Sequence, residues 1–519
     1  MTDEAIRAGF AALRSGNEYD PLADAARCRS EADWLVGLNA TRAVTVRHRT
    51  AGDSPLFSIG RVQTPTLALV AGRDAAIAAF VPTPYWEVRG SFAAAEGGTA
   101  AGRFDALWTH EAPDPNAKPD SKKTRAINRL ANSDLADELI GRVAPGTAVV
   151  ESVRGRRTRE PPPLLFDLTS LQRTANRRFG FSAARTLELA QALYETHKLL
   201  TYPRTDARHL SRDLVGNLPK LFEGLTNLGE YRPFAERLRR ELDDQAARAR
   251  FAGNRRVFDD TKVHDHHAII PTLGKLNEGV LAGLGRDERR LYDLVVRRFL
   301  SAFFPDAEFA ATELVVRVGD VPAGTPPSAA AKLDRGPVDG QGGGGGTGTG
   351  GDVEPDEPIL DQLPPPPDRF VARGRVRLEA GWQEVAGIGA EVGARVGAGD
   401  EAPSLPKLDE GTVLTGSYKS AAKQTRPPPP LTEATLLAAM ETAGRTIEDE
   451  ELRAAMKDSG LGTPATRAAT IETLIKRSFI VRAGKNLNVT DTGKALLAAL
   501  PVSSLASSEL TGRWEARLA

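Results

Sequence analysis

The stretch His197–Leu210, HKLLTYPRTDARHL, sets a tyrosine between an apolar run and a proline, with an arginine two residues beyond it. Tyrosine is scarce in this chain, seven in 519 residues, so Tyr202 invites a question about chemistry. A phenol ionises near pH ~10 and attacks poorly at neutral pH unless a cation favours the phenolate. Arg204 can supply that charge. A guanidinium grips a phosphate through paired hydrogen bonds and stabilises charge developing on phosphorus. Pro203 stiffens the link and biases Tyr202 towards extended backbone. The competing reading is a tyrosine at a helix exit, with Arg204 paired to Asp206. A second cluster, KVHDHHAIIPT, carries His264, His266 and His267 ahead of an apolar run. Three such histidines cannot all face one ion from a regular element, and no cysteine assists. A phosphate-contacting imidazolium and a structural turn compete with a metal site there.

The elements that must position these groups can be read from local pattern. Residues 1–78 read as helical: SEADWLVGLNATRAVTV spaces Trp34, Leu35, Leu38 and Ala43 along one face. In TPTLALVAGRDAAIAAF, Thr64 is the expected N-cap and Pro65 the first helical residue. From Tyr85 the texture is strand-like, in YWEVRGSFAA, GRFDALWTH and TAVVESVRGRRTR, until Pro161–Pro163 interrupts it. Helical pattern returns with SLQRTANRRFG, SAARTLELAQALYETH (Ser182 as its cap) and DERRLYDLVVRRFLSAFF. Strand pattern resumes in ATELVVRV and RFVARGRVRLEAGW. Between those two runs, the glycine-rich residues 336–358 read as a flexible insert, without the G-K-[ST] of a phosphate loop. After Pro427–Pro430 come helices, one opening at Thr463-Pro464, and a hairpin turning near Gly484, as in a winged helix.

The expected division is therefore 1–78 and 426–519 as two parts of a helical, winged-helix DNA-binding domain. Residues 79–160 and 301–425 are two parts of a β-rich arch, and 161–300 a helical domain carrying Tyr202. The fold class is mixed α and β, multidomain, with one sheet interrupted by a helical insert.

Composition narrows the function classes. Net charge is zero, but residues 151–240 hold 17 Lys/Arg against 10 Asp/Glu, a local surplus that suits a phosphate-facing surface. No run approaches the length of apolar sequence that crosses a membrane, and the first residues lack a signal-peptide pattern. A single cysteine, Cys28, excludes an internal disulfide framework and a multi-cysteine zinc site. The expectation is a cytoplasmic protein with no membrane partner.

Five motifs, in order, resemble those of type IA DNA topoisomerases. LYETHKLLTYPRTD is similar to the segment whose tyrosine is the family's nucleophile, which implies Tyr202 as nucleophile and Arg204 as phosphate-positioning residue. FSIGRVQTPTLALV resembles a run lying near bound DNA, implicating Arg61 and Gln63. ADWLVGLNATRA resembles another, ending in Arg42. HDHHAIIPT matches the segment with the active-site histidine, here His266. GLGTPATRAATIETLIKRSFI matches a DNA-contacting segment and implicates Thr466 and Arg467. KQTRPPPPLTEATLLAAME and the paired histidines are most similar to the topoisomerase III branch.

The resemblance implies ATP-independent cleavage and rejoining of one DNA strand through a 5′-phosphotyrosine intermediate, with single-stranded DNA as partner and Mg²⁺ as cofactor. It also implies an N-terminal Toprim domain supplying a D-x-D metal site and a glutamate. No D-x-D occurs in the chain. The expectation is thus a chain lacking the Toprim domain and truncated at its C-terminus, inactive or nearly so alone, with a Toprim polypeptide possible in trans. A single-stranded DNA-binding module without chemistry is the alternative. A tyrosine recombinase fits poorly, because that family's tyrosine follows its H-x-x-R, whereas Tyr202 precedes His209–Arg212 and His266.

Overall fold

The computed structural model describes residues 3–48, 56–94, 102–110, 128–272, 277–319, 358–388, 405–443 and 460–508. Apart from Pro358, the expected glycine-rich insert lies outside them.

Strand segments from both sides of the helical insert meet in one eight-stranded sheet. Its strands are β1 (Pro84–Ala94), β2 (Arg103–Thr109), β3 (Arg129–Leu130), β4 (Ala148–Glu160), β5 (Ala307–Val318), β6 (Ile359–Leu360), β7 (Asp368–Glu379) and β8 (Val413–Gln424). The six long strands close on themselves in the order β1-β2-β7-β5-β4-β8, all antiparallel, and β3 pairs with β6 in parallel at the margin. Closure removes the exposed strand edges that would otherwise invite mispairing. The ring is not uniformly tight. β4 meets β8 only at Ala148–Leu414 and Val149–Val413, and β2 meets β7 only from Leu107–Val371 to Thr109–Arg369. Beyond these short seams the strands part into two ribbons, β1–β8 and β4–β5–β7.

The closed end is filled by Phe92, Trp108, Leu314, Val316 and Phe370. Its buried Asp368 accepts from Trp108 Nε1 (3.0 Å) and from both arms of Arg142 (2.8 and 2.7 Å). A buried carboxylate is tolerable only with such partners. Arg142 stands on a helix, Ser133–Val143, inside the segment expected to form the first part of the β-rich arch. Asn132 caps it by accepting from the Leu135 N–H, and Ala136, Leu139 and Val143 seal the barrel core.

The β4–β5–β7 ribbon enters the helical body through a strut, EPPPLLF, whose prolines lack N–H groups but whose carbonyls need donors. Trp382 Nε1 donates to the Glu160 carbonyl (2.9 Å) and Arg256 to Pro162 (3.0 Å). Arg298 donates to Leu164 (3.0 Å), Arg208 to Leu165 (3.3 Å) and the Ile269 N–H to Phe166 (2.8 Å). Burial, with Arg208 and Arg177 nearby, lowers the Arg298 pKa to about 9. The body packs helices including Leu168–Phe179, Ala183–Glu195 and Arg286–Ser301 around its own core, where Phe303 touches Phe222 and Phe299.

The β1–β8 ribbon leads instead to a base built from helices Gln63–Ala78, Glu433–Thr442, Pro464–Lys476 and Asp491–Ala498. A hairpin, β9 (Ile480–Ala483) and β10 (Asn486–Val489), completes the winged-helix arrangement and turns at Gly484, whose φ is +63°. The first of these helices begins at Gln63, not after a Thr64 cap. The Thr64 hydroxyl instead reaches back to accept from the Gly60 N–H (3.0 Å). Body and base have separate cores, and the body contributes Ala183 to that of the base.

Candidate active site

The chain reaches Tyr202 through a sharply defined helix exit. The amides of Thr196 and His197 both return to the Ala192 carbonyl, Lys198 takes a left-handed conformation (φ +56°), and the Leu199 N–H donates to Leu193 (2.8 Å). A non-glycine residue at positive φ stores strain that only over-determining contacts can hold. Those contacts come from the histidine segment. Thr201 N–H donates to the Ile270 carbonyl (3.0 Å), and the Ile270 N–H donates to Thr201 Oγ1 (3.0 Å). Thr205 Oγ1 donates to the His266 carbonyl (3.0 Å) and accepts from the Ala207 N–H (3.1 Å). The Leu168 N–H, at the start of its helix, donates to the Thr205 carbonyl (3.0 Å).

These bonds bring Tyr202 and His266 together. Their ring centroids lie 4.4 Å apart at 45°. Tyr194 packs edge-on against Tyr202 (5.5 Å, 79°), and Lys198 Nζ lies 5.7 Å from the Tyr194 ring centre. Tyr202 is half-buried, while Arg204, Asp206 and His266 are exposed. Arg204 makes no ion pair with Asp206 among the described residues, so its guanidinium remains available at the surface.

The other histidines separate by environment. His264 is exposed. His267 donates from Nδ1 to the Ala268 carbonyl (2.8 Å), and burial pushes its pKa down. His209 is buried, and its pKa is lowered by burial and then by Lys262. Asp167, the buried N-cap of helix Leu168–Phe179, has its pKa raised by burial against the pull of Arg208. Among the described residues no three His, Cys, Asp or Glu side chains converge as a metal site.

The remaining predicted residues assemble on the base. Arg61 forms a two-pronged pair with Asp33 (2.7 and 3.1 Å), and Thr41 Oγ1 accepts from the Ile59 N–H (3.0 Å). The ADWL and GRVQ motifs are thereby sewn together. Gln63 donates to Ser58 (2.9 Å) and accepts from Arg477 (2.9 Å), which joins GRVQ to the end of helix Pro464–Lys476. Gly462, at φ +69°, backs onto Val62 where a Cβ would crowd it. Arg42 and Thr466 are exposed. Arg467 is not: it is buried, donating to the Leu461 carbonyl (3.2 Å) and to Thr169 of the body (3.0 Å).

A family model for DNA topoisomerases matches residues 17–325 and 366–519. The chain belongs to the DNA topoisomerase family. DNA topoisomerase 3 of Bacillus subtilis (strain 168) is 36% identical over 522 residues, covering 100% of this chain and 60% of the relative. The same protein of Bacillus licheniformis is 34% identical with the same coverage. The chain thus spans 60% of the length of these topoisomerases. Topoisomerase I of Thermotoga maritima shares the fold, with a TM-score of 0.60, 21% identity, and cover of 100% of this chain and 67% of that one. The type IA resemblance, its topoisomerase III branch and the arch-and-winged-helix fold class are borne out.

Residue spacing alone missed Tyr194, Thr205, Asp33 and Arg477. Each had a signal, since each lies inside a motif quoted above: Tyr194 and Thr205 in LYETHKLLTYPRTD, Asp33 in ADWLVGLNATRA and Arg477 in GLGTPATRAATIETLIKRSFI.

Proposed function

We propose that this chain is the strand-gripping, nucleophile-bearing and gating part of a type IA topoisomerase of the topoisomerase III branch. The observation that carries this is the Tyr202–His266 ring contact of 4.4 Å beside an exposed Arg204. In the proposed reaction Tyr202 Oη attacks a backbone phosphorus of single-stranded DNA. The P–Oη bond forms as the P–O3′ bond breaks; the phenol gives up its proton and the 3′-oxygen takes one. Arg204 and His266 face the phosphate and offset the charge that builds there. The free 3′-hydroxyl reverses the step after a strand has passed, and no bond energy is lost, so ATP is not required. Arg42, Arg61, Gln63, Thr466 and Arg467 serve the grip on the strand, Arg467 from within the body–base contact. The setting is cytoplasmic, at the bacterial nucleoid.

The Mg²⁺ and the acid that protonates the leaving oxygen belong, on this reading, to a Toprim domain. Its docking is supported by exposed apolar side chains near the start of the sequence: Phe10, Leu13, Leu22, Trp34, Leu35 and Leu38. Helix Asp20–Arg47 buries only Val44 among its described side chains. No described helix is long and apolar enough to cross a membrane.

The test is covalent trapping. The chain is incubated with a 3′-labelled single-stranded oligonucleotide and Mg²⁺, with and without an added Toprim polypeptide, then denatured in SDS. Label on the protein that disappears in Tyr202→Phe supports the reading. Label that persists in Tyr202→Phe refutes the nucleophile. Salt-sensitive binding without any adduct in either mixture favours a binding module without chemistry.

A further inference from the structure

The contact between body and base is polar where most internal contacts are apolar. Across it, the Glu433 carboxylate accepts from the Ala183 N–H (2.7 Å) and Asn176 accepts from the Ala434 N–H (3.2 Å). Arg173 meets Glu441 (3.1 Å), and Arg467 meets Thr169 (3.0 Å). Glu433, Arg467, Thr169 and Ala183 are all buried. Apart from Ala183, which the body lends to the core of the base, the two cores are separate, so a contact joined by hydrogen bonds can part with little exposure of either.

Glu433 stands apart in what it holds. Ala183 is the first residue of helix Ala183–Glu195, and its N–H is one of the donors that a helix start leaves unpaired. Ser182 Oγ takes the Arg185 N–H within the body, but the Ala183 N–H is satisfied from the base. The carboxylate also complements the positive end of the helix. Its second oxygen is held by Arg482 (2.7 Å), itself paired with Glu472. Near the far end, about 17 Å away at 1.5 Å per residue, the same helix presents Tyr194 to Tyr202. Its Leu193 carbonyl accepts from Leu199, two residues before Thr201 and its bond to Ile270.

We infer that Glu433 is a positioning residue that couples closure of the body–base contact to the ordering of Tyr202, through helix Ala183–Glu195. When the contact closes, Glu433 caps the helix and Tyr194 sets the Tyr202 ring. When it opens, the Ala183 N–H loses its acceptor and the nucleophile segment loosens. The tyrosine is then held in place for rejoining only once the two halves meet. This rests on Tyr202 as the nucleophile, but its readout does not use the chemistry.

The measurement is hydrogen–deuterium exchange of the full chain, followed at peptides spanning 183–195 and 198–204. Removal of a buried acceptor for a backbone donor should speed exchange of both peptides about tenfold or more in Glu433→Ala. Glu433→Gln keeps an acceptor oxygen and should restore most of the protection. Arg482→Met leaves the carboxylate on Ala183 and should stay near the wild type at 198–204. Unchanged exchange at 198–204 in Glu433→Ala overturns the inference. So does an equal rise across all of the body, because Glu433 would then support the fold generally. Failure of Gln to rescue also counts against it. A wild-type chain that forms no adduct even with a Toprim polypeptide would sink the nucleophile reading and leave this exchange result standing.

Discussion

Thr205→Val tests whether the nucleophile loop is held by one hydroxyl. Thr205 is 2% exposed, and Val has nearly its shape, so the exchange removes two hydrogen bonds and little packing. The His266 carbonyl loses its donor at 3.0 Å, but His266 is exposed and water can replace it. The Ala207 N–H loses its acceptor at 3.1 Å and is buried, so it stays unpaired. Such an orphaned donor costs about 1–3 kcal/mol. Taking ~2 kcal/mol, protection of amides that open with this loop falls about 30-fold, since each ~1.4 kcal/mol is tenfold. The Leu168 N–H, bonded to the Thr205 carbonyl, is the amide to follow by native-state hydrogen exchange. Thr205→Ser keeps both bonds and loses one buried methyl, about 0.8 kcal/mol or roughly fourfold. Less than threefold loss in Val, or equal losses in Val and Ser, would refute the claim that the hydroxyl holds the loop.

Asp167→Asn should lie within about 1 kcal/mol of the wild type, because Asn caps as well as Asp and brings no charge into a buried site; Asp167→Ala should cost about 1–2 kcal/mol, read by urea unfolding. Acid should loosen the body through His209 and His267. His209 and His267 have folded pKa values below the unfolded value near 6.5. The unfolded chain therefore binds more protons as pH falls through that value, and stability present above it is lost below it. Replacing both with Gln should flatten the melting temperature between pH 7 and pH 5; an equally steep dependence in the double variant would exclude them as its source.

What the sequence by itself determined is mostly local. Ser182 and the Thr463-Pro464 step mark helix starts, because a hydroxyl cap or a proline acts within three or four residues. Gly484 marks the hairpin, because the turn needs positive φ at that residue alone. The order of the motifs named the family, since each carries its residue types within one short stretch. Tertiary structure decided the rest. Whether Tyr202 meets His264, His266 or His267 depends on a register set by Thr201, Thr205 and Ile270, and no local preference encodes it. The closure of six strands hangs on seams two and three residue pairs long, joining segments more than 200 residues apart. Helix Ser133–Val143 was hidden among strands until the barrel core gave its apolar face something to cover. Arg467 reads as a surface cation within its motif, and only the approach of Thr169 buries it. Glu433 reads as an ordinary first-turn acid of its own helix, until the start of another helix is packed against it. In each case the deciding partner is distant in sequence, and the energy that selects it comes from burial and pairing that exist only once the chain has folded.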